Sequence, residues 1–302
     1  MSRKYAILTC SDSRTGDFLV NHWYRSLIEN VDTTDIDVVV FDYGLSKKQK
    51  QQIQSKGACC IECKSDEGLV VNLRFRDFAH FLKNSDYSQA ASFDGGDIIF
   101  QSDISHLFHE NSQHYRCVCE DRFASFLGLM MKGADFSENN WRSLTNFLKY
   151  RQLVSSGVIA PVEKLIDIWK CFESLCTNLN EYGTDLVVIN YVLHSKGFVP
   201  LNSRYNYMLA NIHDRYRIRE SRFFDSQGKL IPVVHNAGGK AMHRPIVNFG
   251  YGTNFNTERR WLWPFLFKTW APLKHWLYES FRIWNHKSIT NSVNDDIPFD
   301  TP

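Results

Sequence analysis

The sequence predicts an α/β protein in which a central sheet is flanked by helices. Apolar runs at residues 5–10, 37–41 and 58–62 have the length and composition of buried strands. Helix-like segments at residues 18–29 and 46–55 separate these runs. Strands that alternate with helices are typical of a parallel sheet with helices packed on its faces.

The remaining elements follow the same periodicities. Residues 73–82 and 162–179 carry apolar side chains at helical spacing, and residues 185–194 form a more uniformly apolar helix. Residues 123–131 are predicted as an apolar helix or loop. Further strands are predicted at residues 89–93, 98–100, 115–120, 197–201 and 231–235.

Composition is that of an ordinary globular chain. Of the 302 residues, 43% are hydrophobic and 23% are charged, which is enough for a sizeable core and one large domain with an appendage. The net charge of +2 is too small to indicate a nucleic-acid-binding protein. The sequence contains no apolar run of about eighteen residues, so we expect no membrane-spanning helix.

The cysteines indicate the compartment. Eight cysteines could form four disulfides, but several lie in apolar runs, as small buried hydrophobic residues do. The first apolar run is too short for a signal peptide. We therefore expect reduced thiols inside a cell. Neither cysteine cluster, at residues 59–63 or 117–119, has the paired spacing of a zinc site.

Two carboxylates follow the strand predicted at residues 89–93. The strand stops at Asp94, Gly95 and Gly96 follow, and Asp97 precedes the next strand-like run. Glycine can hold a positive φ and lets a backbone approach a ligand, and paired carboxylates suit Mg²⁺ or Mn²⁺. The same residues are also the commonest turn formers, and taken alone they favour a simple hairpin turn.

The loop after the first strand is a second candidate. In open parallel sheets, ligands bind beyond the carboxyl ends of the strands. This rule places Thr9, Cys10, Ser11 and Asp12 on the same rim as residues 94–97. Ser11 and Asp12 could equally be helix caps.

Arginine near a strand end could bind a phosphate group. Arg74 and Arg76 lie near the start of the helix predicted at residues 73–82. The planar guanidinium suits phosphate recognition, although a charge at such a position more often decorates a solvated helix face.

Small or charged residues interrupt two later apolar segments. Ser155, Ser156 and Gly157 lie within an apolar run, where they would let a ligand approach the backbone or allow close packing of a strand. Asp185 begins the apolar helix at residues 185–194, where a carboxylate usually interacts with the helix dipole.

The strand predicted at residues 231–235 ends in a histidine. His235 is followed by Gly238, Gly239 and Lys240. A neutral imidazole could bind a cation and the lysine a phosphate, although a lone histidine at a strand end is more often a structural residue.

The C-terminal region is aromatic and basic. Five of the eight tryptophans lie between residues 259 and 287 among lysines and arginines, and Pro264 and Pro272 divide the segment into short pieces. Tryptophan with basic residues favours the boundary between lipid headgroups and acyl chains, so we expect a segment that lies on a membrane. The alternative is a C-terminal helix that covers the core.

The order of these motifs resembles the GT-A-fold glycosyltransferases, and most closely glycosyltransferase family 8 with its bacterial lipooligosaccharide galactosyltransferases. The similarity is scattered over residues 5–245. Segments that carry it are 8–12, 87–99 with 103–108, 156–158, 185–190 with 203–208, and 235–240.

The resemblance implies a GT-A fold, a Rossmann-like mixed sheet flanked by helices. It implies transfer of a sugar from a nucleotide sugar, presumed to be linked to uridine diphosphate, to a glycan or glycolipid, with the anomeric configuration retained. It implies Mn²⁺ or Mg²⁺ held by Asp94, Asp97 and His235. It implies Asp185 and Ser156 as catalytic residues. The donor contacts that it implies are Thr9, Cys10, Ser11, Asp12, Arg74, Arg76, Asp94, Gly95, Gly157, Gly238 and Lys240.

The sequence departs from the family pattern in three places. The acidic pair, Asp94 and Asp97, is one residue longer, and an alternative register would use residues 101–103. Leu186 replaces the family's glutamine, and residues 241–242 replace its Pro-Trp. A nucleotidyltransferase that makes the sugar nucleotide, or a non-catalytic membrane-bound glycan-binding relative, remain alternatives.

These predictions divide the chain into three regions. Residues 1–255 are expected to form the catalytic domain, residues 256–290 a membrane-surface segment and residues 291–302 a flexible tail. We expect a cytoplasmic enzyme attached peripherally to the inner face of the membrane.

Overall fold

The chain forms two compact units, Met1–Trp261 and Leu262–Pro302. All strands that the structure describes belong to the first unit. The described residues of the computed structural model are 4–154, 157–210, 215–238, 244–260 and Leu273.

Strands account for most of the framework. In chain order they are β1 (Tyr5–Ser11), β2 (Ile36–Asp42), β3 (Cys59–Glu62), β4 (Gln89–Ser92), β5 (Ile98–Phe100), β6 (Tyr115–Phe123), β7 (Gln152–Val154), β8 (Val158–Pro161), β9 (Phe198–Leu201), β10 (Tyr207–Met208), β11 (Arg217–Arg219), β12 (Arg222–Phe224) and β13 (Val233–His235).

Most of the helices lie where apolar periodicity predicted them, but the helix at Glu138–Leu148 was not predicted. They are α1 (Gly16–Phe18), α2 (Arg25–Asn30), α3 (Lys47–Gln54), α4 (Val70–Lys83), α5 (Ser125–Met130), α6 (Glu138–Leu148), α7 (Val162–Leu175) and α8 (Thr184–Lys196). A π-helical segment, Leu19–Tyr24, joins α1 to α2, and short 3₁₀ turns occupy Ser105–Phe108 and Ser203–Asn206.

The main sheet is mixed and has the order β3-β2-β1-β4-β8-β6-β7, with β9 beside β6. Strands β1 to β4 run parallel, which confirms the prediction for the first half of the chain. Strand β8 pairs antiparallel with β4 and β6. The carboxyl ends of β1 and β4 therefore lie side by side, with Leu8 opposite Ser92.

Both faces of this sheet are buried, each by a different apolar core. Ala6 and Leu8 belong to a core formed with α4, α7 and α8, whereas Ile7 belongs to a second core that contains Trp23 and Phe100. Successive side chains of a strand point to opposite faces, so an almost uninterrupted apolar run is required.

The alternative of a hairpin turn at residues 94–97 is not supported. Strand β4 pairs with β1 and β8, whereas β5 pairs with β13 in a separate sheet of order β10-β13-β5. The segment between Asp94 and Asp97 therefore carries the chain from one sheet to the next. Turn-forming residues here reflect a crossing between sheets, which local sequence cannot distinguish from a hairpin.

Two further features bear on the predictions. All eight cysteines are free thiols. Within the described part of the chain, no helix is both long and apolar enough to cross a membrane.

Candidate functional site

A cleft of about 300 Å³ opens at the carboxyl ends of β1 and β4. Its walls are the loop after β1, the first turns of α4, residues 94–97, the start of α8 and residues that follow β13. The rim predicted from the strand order is thus present, but His235 reaches it from the second sheet and not from the main one.

Three metal-ligand side chains meet in this cleft. One ligand atom each of Asp94, Asp97 and His235 lies within 4.8 Å of the others. Pairing of β13 with β5 brings them together, because His235 stands opposite Ile98 and the next amide, of Asn236, donates to the Asp97 carbonyl at 2.9 Å. The ladder thus places His235 beside the residue that precedes β5.

An arginine holds one oxygen of each carboxylate while the other oxygen faces the imidazole. Asp94 Oδ1 accepts from Arg74, and its Oδ2 lies 3.7 Å from His235 Nε2. Asp97 Oδ2 pairs with Arg244 at 3.2 Å, and its Oδ1 lies 3.2 Å from the same nitrogen. Two carboxylate oxygens and one imidazole nitrogen therefore converge, a donor set that suits a divalent cation.

Asn206 orients the imidazole. His235 Nδ1 lies 3.0 Å from Asn206 Oδ1, and both side chains are buried. An amide oxygen only accepts, so Nδ1 donates to it, and this bond fixes the ring with Nε2 facing the two carboxylates.

Gly157 packs against Asn206, the residue that contacts the His235 ring. Its φ of +107° favours glycine, and an added Cβ would lie 3.2 Å from Asn206 Nδ2. Gly157 thus permits close packing against the residue that positions His235, and it does not line the cleft.

Electrostatics at the cluster favour a positive ion. Burial lowers the pKa of His235, but the carboxylates of Asp97 and then Asp94 outweigh burial, so that the pKa is raised. The field that draws a proton to Nε2 would also draw a divalent cation.

Arg74 joins this cluster to Asp185. Its Nη2 donates to Asp185 Oδ2 at 2.9 Å while its Nη1 donates to Asp94, and Arg74 is only 6% exposed. Arg74 therefore does not decorate a solvated helix face, which was the alternative to a ligand role. Its guanidinium is engaged by two carboxylates, so it positions them rather than standing ready for a phosphate.

Asp185 is buried in the first turn of α8. Its amide donates to Asn72 Oδ1 at 3.1 Å. Burial raises the pKa of Asp185, Arg74 opposes that rise and the Asp94 carboxylate adds to it. Asp185 lines the cleft, so it is more than a partner of the helix dipole.

The loop after β1 contributes unevenly. Cys10, Ser11 and Asp12 line the cleft, but Thr9 is fully buried and its hydroxyl donates to the Phe93 carbonyl at 2.8 Å. Thr9 therefore ties β1 to the start of the acidic segment and is not a ligand contact. Burial raises the pKa of the Cys10 thiol to about 11.

Asp12 organises its own loop. Its carboxylate accepts from the amide of Arg14 at 2.9 Å and from the amide of Thr15 at 3.2 Å, and it pairs with the Arg14 guanidinium. Burial raises the pKa of Asp12, but these bonds outweigh it and the pKa lies below its usual value. Thr15, and not Asp12, is the N-cap of α1, so Asp12 holds its loop without capping the helix, and it also faces the cleft.

Gly95 is required for packing, and its φ is not positive. A Cβ on Gly95 would come within 2.7 Å of both the Cys10 carbonyl and the Thr9 hydroxyl. The glycine therefore lets the acidic segment pass close to the end of β1, which differs from the positive φ that the sequence suggested.

Several predicted residues lie elsewhere or cannot be described. Arg76, predicted as a donor contact, pairs with Glu67 and Asp77 and does not line the cleft. Gly238 lines the cleft, and its carbonyl accepts from Arg244 at 3.2 Å. Ser156, Lys240 and most of residues 256–290 lie outside the described residues.

The alternative register for the acidic motif is not supported. Asp103 accepts from the amides of Asp32 and Ser105, each at 3.0 Å, and is not part of the cluster.

Sequence reasoning missed four residues of this site. Arg244 and Asn206 contact the cluster directly, while Glu120 and Tyr182 line the cleft. Only Asn206 carried a signal, because it lies in the Ser203–Met208 segment that resembles the family.

The fold is similar to that of solved glycosyltransferases. The galactosyltransferase LgtC, solved with donor and acceptor sugar analogs, covers 80% of this chain and 88% of its own, with a TM-score of 0.51 and 14% identity. The chain has the GT-A fold. The bifunctional glycosyltransferase WbbM matches with a TM-score of 0.52 and 12% identity over 81% of this chain and 47% of WbbM.

The GT-A fold was recognisable only through scattered motifs and three-dimensional similarity. No protein-family model and no curated protein sequence matches the chain. The structural similarity to LgtC confirms the resemblance at the level of the fold. At 14% identity, overall sequence similarity would not have shown it.

We expect Gly95→Ala to destabilise the protein by about 1–3 kcal/mol, because the methyl group would force the acidic segment away from β1. Gly96→Ala is the matched control, since its nearest neighbour is the movable Thr15 side chain at 3.0 Å. Denaturant unfolding measures both variants, and equal midpoints would contradict the packing role of Gly95.

We expect Asn206→Ala to lower Mn²⁺ affinity about 10–100-fold, because His235 loses the acceptor that fixes its ring. Asn206→Asp keeps an acceptor oxygen and should retain most of the affinity. Titration calorimetry with MnCl₂ measures both, with circular dichroism as the check on folding. Equal losses would show that Asn206 acts only through packing.

Proposed function

We propose that the protein transfers a sugar from a nucleoside-diphosphate sugar, with uridine diphosphate as the preferred carrier, to a glycan or glycolipid acceptor. The observation that carries this proposal is the convergence of Asp94, Asp97 and His235 at the mouth of a GT-A cleft. The structure of LgtC with donor and acceptor sugar analogs supports a sugar donor and a sugar acceptor for this fold.

The donor set fits a hard divalent cation. Asp94 Oδ2, Asp97 Oδ1 and His235 Nε2 would hold Mn²⁺ or Mg²⁺, and open positions would remain for oxygens of a ligand. A bound cation supplies neutralisation of the charge that develops on a leaving diphosphate.

Basic groups next to the cluster would bind the same diphosphate. Arg244 lies 3.2 Å from Asp97 and its side chain is one-third exposed, so it can turn part of its fork towards a phosphate oxygen. Lys240, predicted from the sequence, would add a point charge. The loop at Cys10, Ser11 and Asp12 would face the nucleoside.

Asp185 would act on the donor sugar. Arg74 holds one carboxylate oxygen of Asp185 in a buried ion pair, so its orientation is set before a ligand arrives. A carboxylate in this position would stabilise positive charge at the anomeric carbon. We infer retention of configuration, with Leu186 as an apolar wall where the family has glutamine. Ser156 stays the second catalytic residue that the resemblance implies.

We expect Asp94→Asn, Asp97→Asn and His235→Ala each to abolish metal-dependent release of nucleoside diphosphate, because each removes one ligand atom from the cluster. Added EDTA should abolish the activity of the unaltered protein. The measurement is nucleoside diphosphate released from a panel of sugar nucleotides with MnCl₂.

The matched control is Asp103→Asn, which alters the acid of the alternative register outside the cluster. It should keep full turnover. Full activity in His235→Ala would remove that residue from the ligand set. Binding of nucleoside triphosphates only would favour a nucleotidyltransferase, and sugar binding without turnover would favour a non-catalytic relative.

We also propose that the C-terminal segment holds the enzyme on a membrane surface where a lipid-linked acceptor lies. Support comes from its tryptophan-rich, basic sequence.

We expect removal of residues 262–302 to lower partition onto phosphatidylglycerol vesicles without loss of donor hydrolysis, because the first compact unit ends at Trp261. Vesicle sedimentation and the release assay measure the two effects. A truncated chain that unfolds would instead favour the alternative in which the segment covers the core.

A further inference from the structure

A small ribbon outside the cleft has two different faces. Strands β11 and β12 pair antiparallel, with Arg219 opposite Arg222 and Ile218 opposite Phe223. Phe223 belongs to the apolar cluster beneath the second sheet, and Ile218 packs against that cluster. Since side chains alternate along a strand, the arginines of the ribbon point the other way.

The outward face is exposed and strongly basic. Arg215, Arg217, Arg219 and Arg222 are all exposed, at the alternating positions that the strand period predicts. Successive arginines on one strand are thus about 7 Å apart, which is a spacing comparable to that of neighbouring headgroups on a charged surface.

Within the described residues, no carboxylate forms an ion pair with these four arginines. Glu220 is the one acid between residues 215 and 222, while nearby Asp225 pairs with Arg204. The whole chain carries a net charge of only +2, so the ribbon is a local concentration of charge and not part of a basic protein.

The ribbon holds like charges together. Arginines directly across two strands repel each other, as Arg219 and Arg222 do here. The turn between them is tight, with φ of 48° at Glu220 and 62° at Ser221, and Asn256 Nδ2 donates to the Ser221 carbonyl at 2.8 Å. A turn fixed in this way cannot spread the charges, so a bound anion would relieve the repulsion.

A polar pocket adjoins the base of the ribbon. It has a volume of about 340 Å³, and its charged lining residues are Arg204, Arg215, Lys229 and Asp225. Asp225 pairs with Arg204 at 3.3 Å, so Arg215 and Lys229 are the cations of this pocket that are available to a phosphate group.

The last described residues of the first unit lie beside the ribbon. The Arg259 guanidinium lies over the Tyr216 ring, 5.0 Å from its centroid, and the unit ends at Trp261. The sequence that follows is the tryptophan-rich basic segment. Stable attachment to a membrane usually takes two signals, one apolar and one polybasic.

We propose that the basic ribbon, defined as residues 215–224 with Lys229 and Arg259, binds the phosphate headgroups of an anionic lipid surface. Its exposed arginines supply the polybasic signal, and the C-terminal segment supplies the apolar one. Binding of the ribbon to lipid headgroups does not depend on whether the cleft transfers a sugar.

The test compares Arg217→Gln/Arg219→Gln in the full chain with Lys47→Gln/Lys48→Gln. The control removes the same amount of charge from two exposed lysines of α3, elsewhere on the first unit. Vesicles contain equal parts of phosphatidylglycerol and phosphatidylcholine. One basic residue near such a surface contributes about fivefold in partition, so the ribbon variant should lose about 25-fold and the control much less.

The assignment fails when the two variants partition equally, or when the ribbon variant loses as much on pure phosphatidylcholine vesicles. Tight binding of soluble polyphosphate in place of vesicles would assign the ribbon to a soluble polyanion and overturn the lipid proposal. Donor hydrolysis without vesicles should be unchanged in the ribbon variant. Donor hydrolysis by the Asp94, Asp97 and His235 variants tests the proposed transferase activity, and its outcome does not change the conclusion from the vesicle experiment.

Discussion

The site depends on the pairing of two short strands. The register of β13 against β5 sets His235 opposite Ile98, one residue after Asp97, and the Asn236 amide closes the same ladder. A shift by one residue would turn the imidazole to the other face of the sheet and into the apolar cluster beneath it. The candidate metal ligands are therefore held by backbone hydrogen bonds, which resist small changes in side-chain chemistry.

Buried charge is the second constraint on the cleft. Asp94, Asp97 and Asp185 repel one another, and Arg74 and Arg244 balance them from opposite sides. A buried ion pair stabilises little by itself, since desolvation offsets much of the attraction. The ion pairs instead orient the carboxylates, because each arginine holds one oxygen of a carboxylate and leaves the other oxygen facing His235 or the cleft.

Charge is distributed unevenly over the rest of the first unit. The cleft gathers acids around a few arginines, whereas the ribbon gathers arginines with almost no acids. A nearly neutral chain can thus present two surfaces of opposite character. Composition averages over both surfaces, which explains why the net charge excluded a basic protein without revealing the ribbon.

The parallel half of the sheet, the positions of most helices and the residue types at the cleft could be predicted from the sequence. They follow from periodicity and from residues that end strands, which are local properties of the chain. Three features emerge only from the folded chain: residues 94–97 join two sheets, Arg74 and not Arg76 is buried between carboxylates, and Arg244 and Asn206 belong to the site. These features depend on contacts between segments far apart in the sequence, such as the pairing of β5 with β13, and no local pattern encodes such contacts.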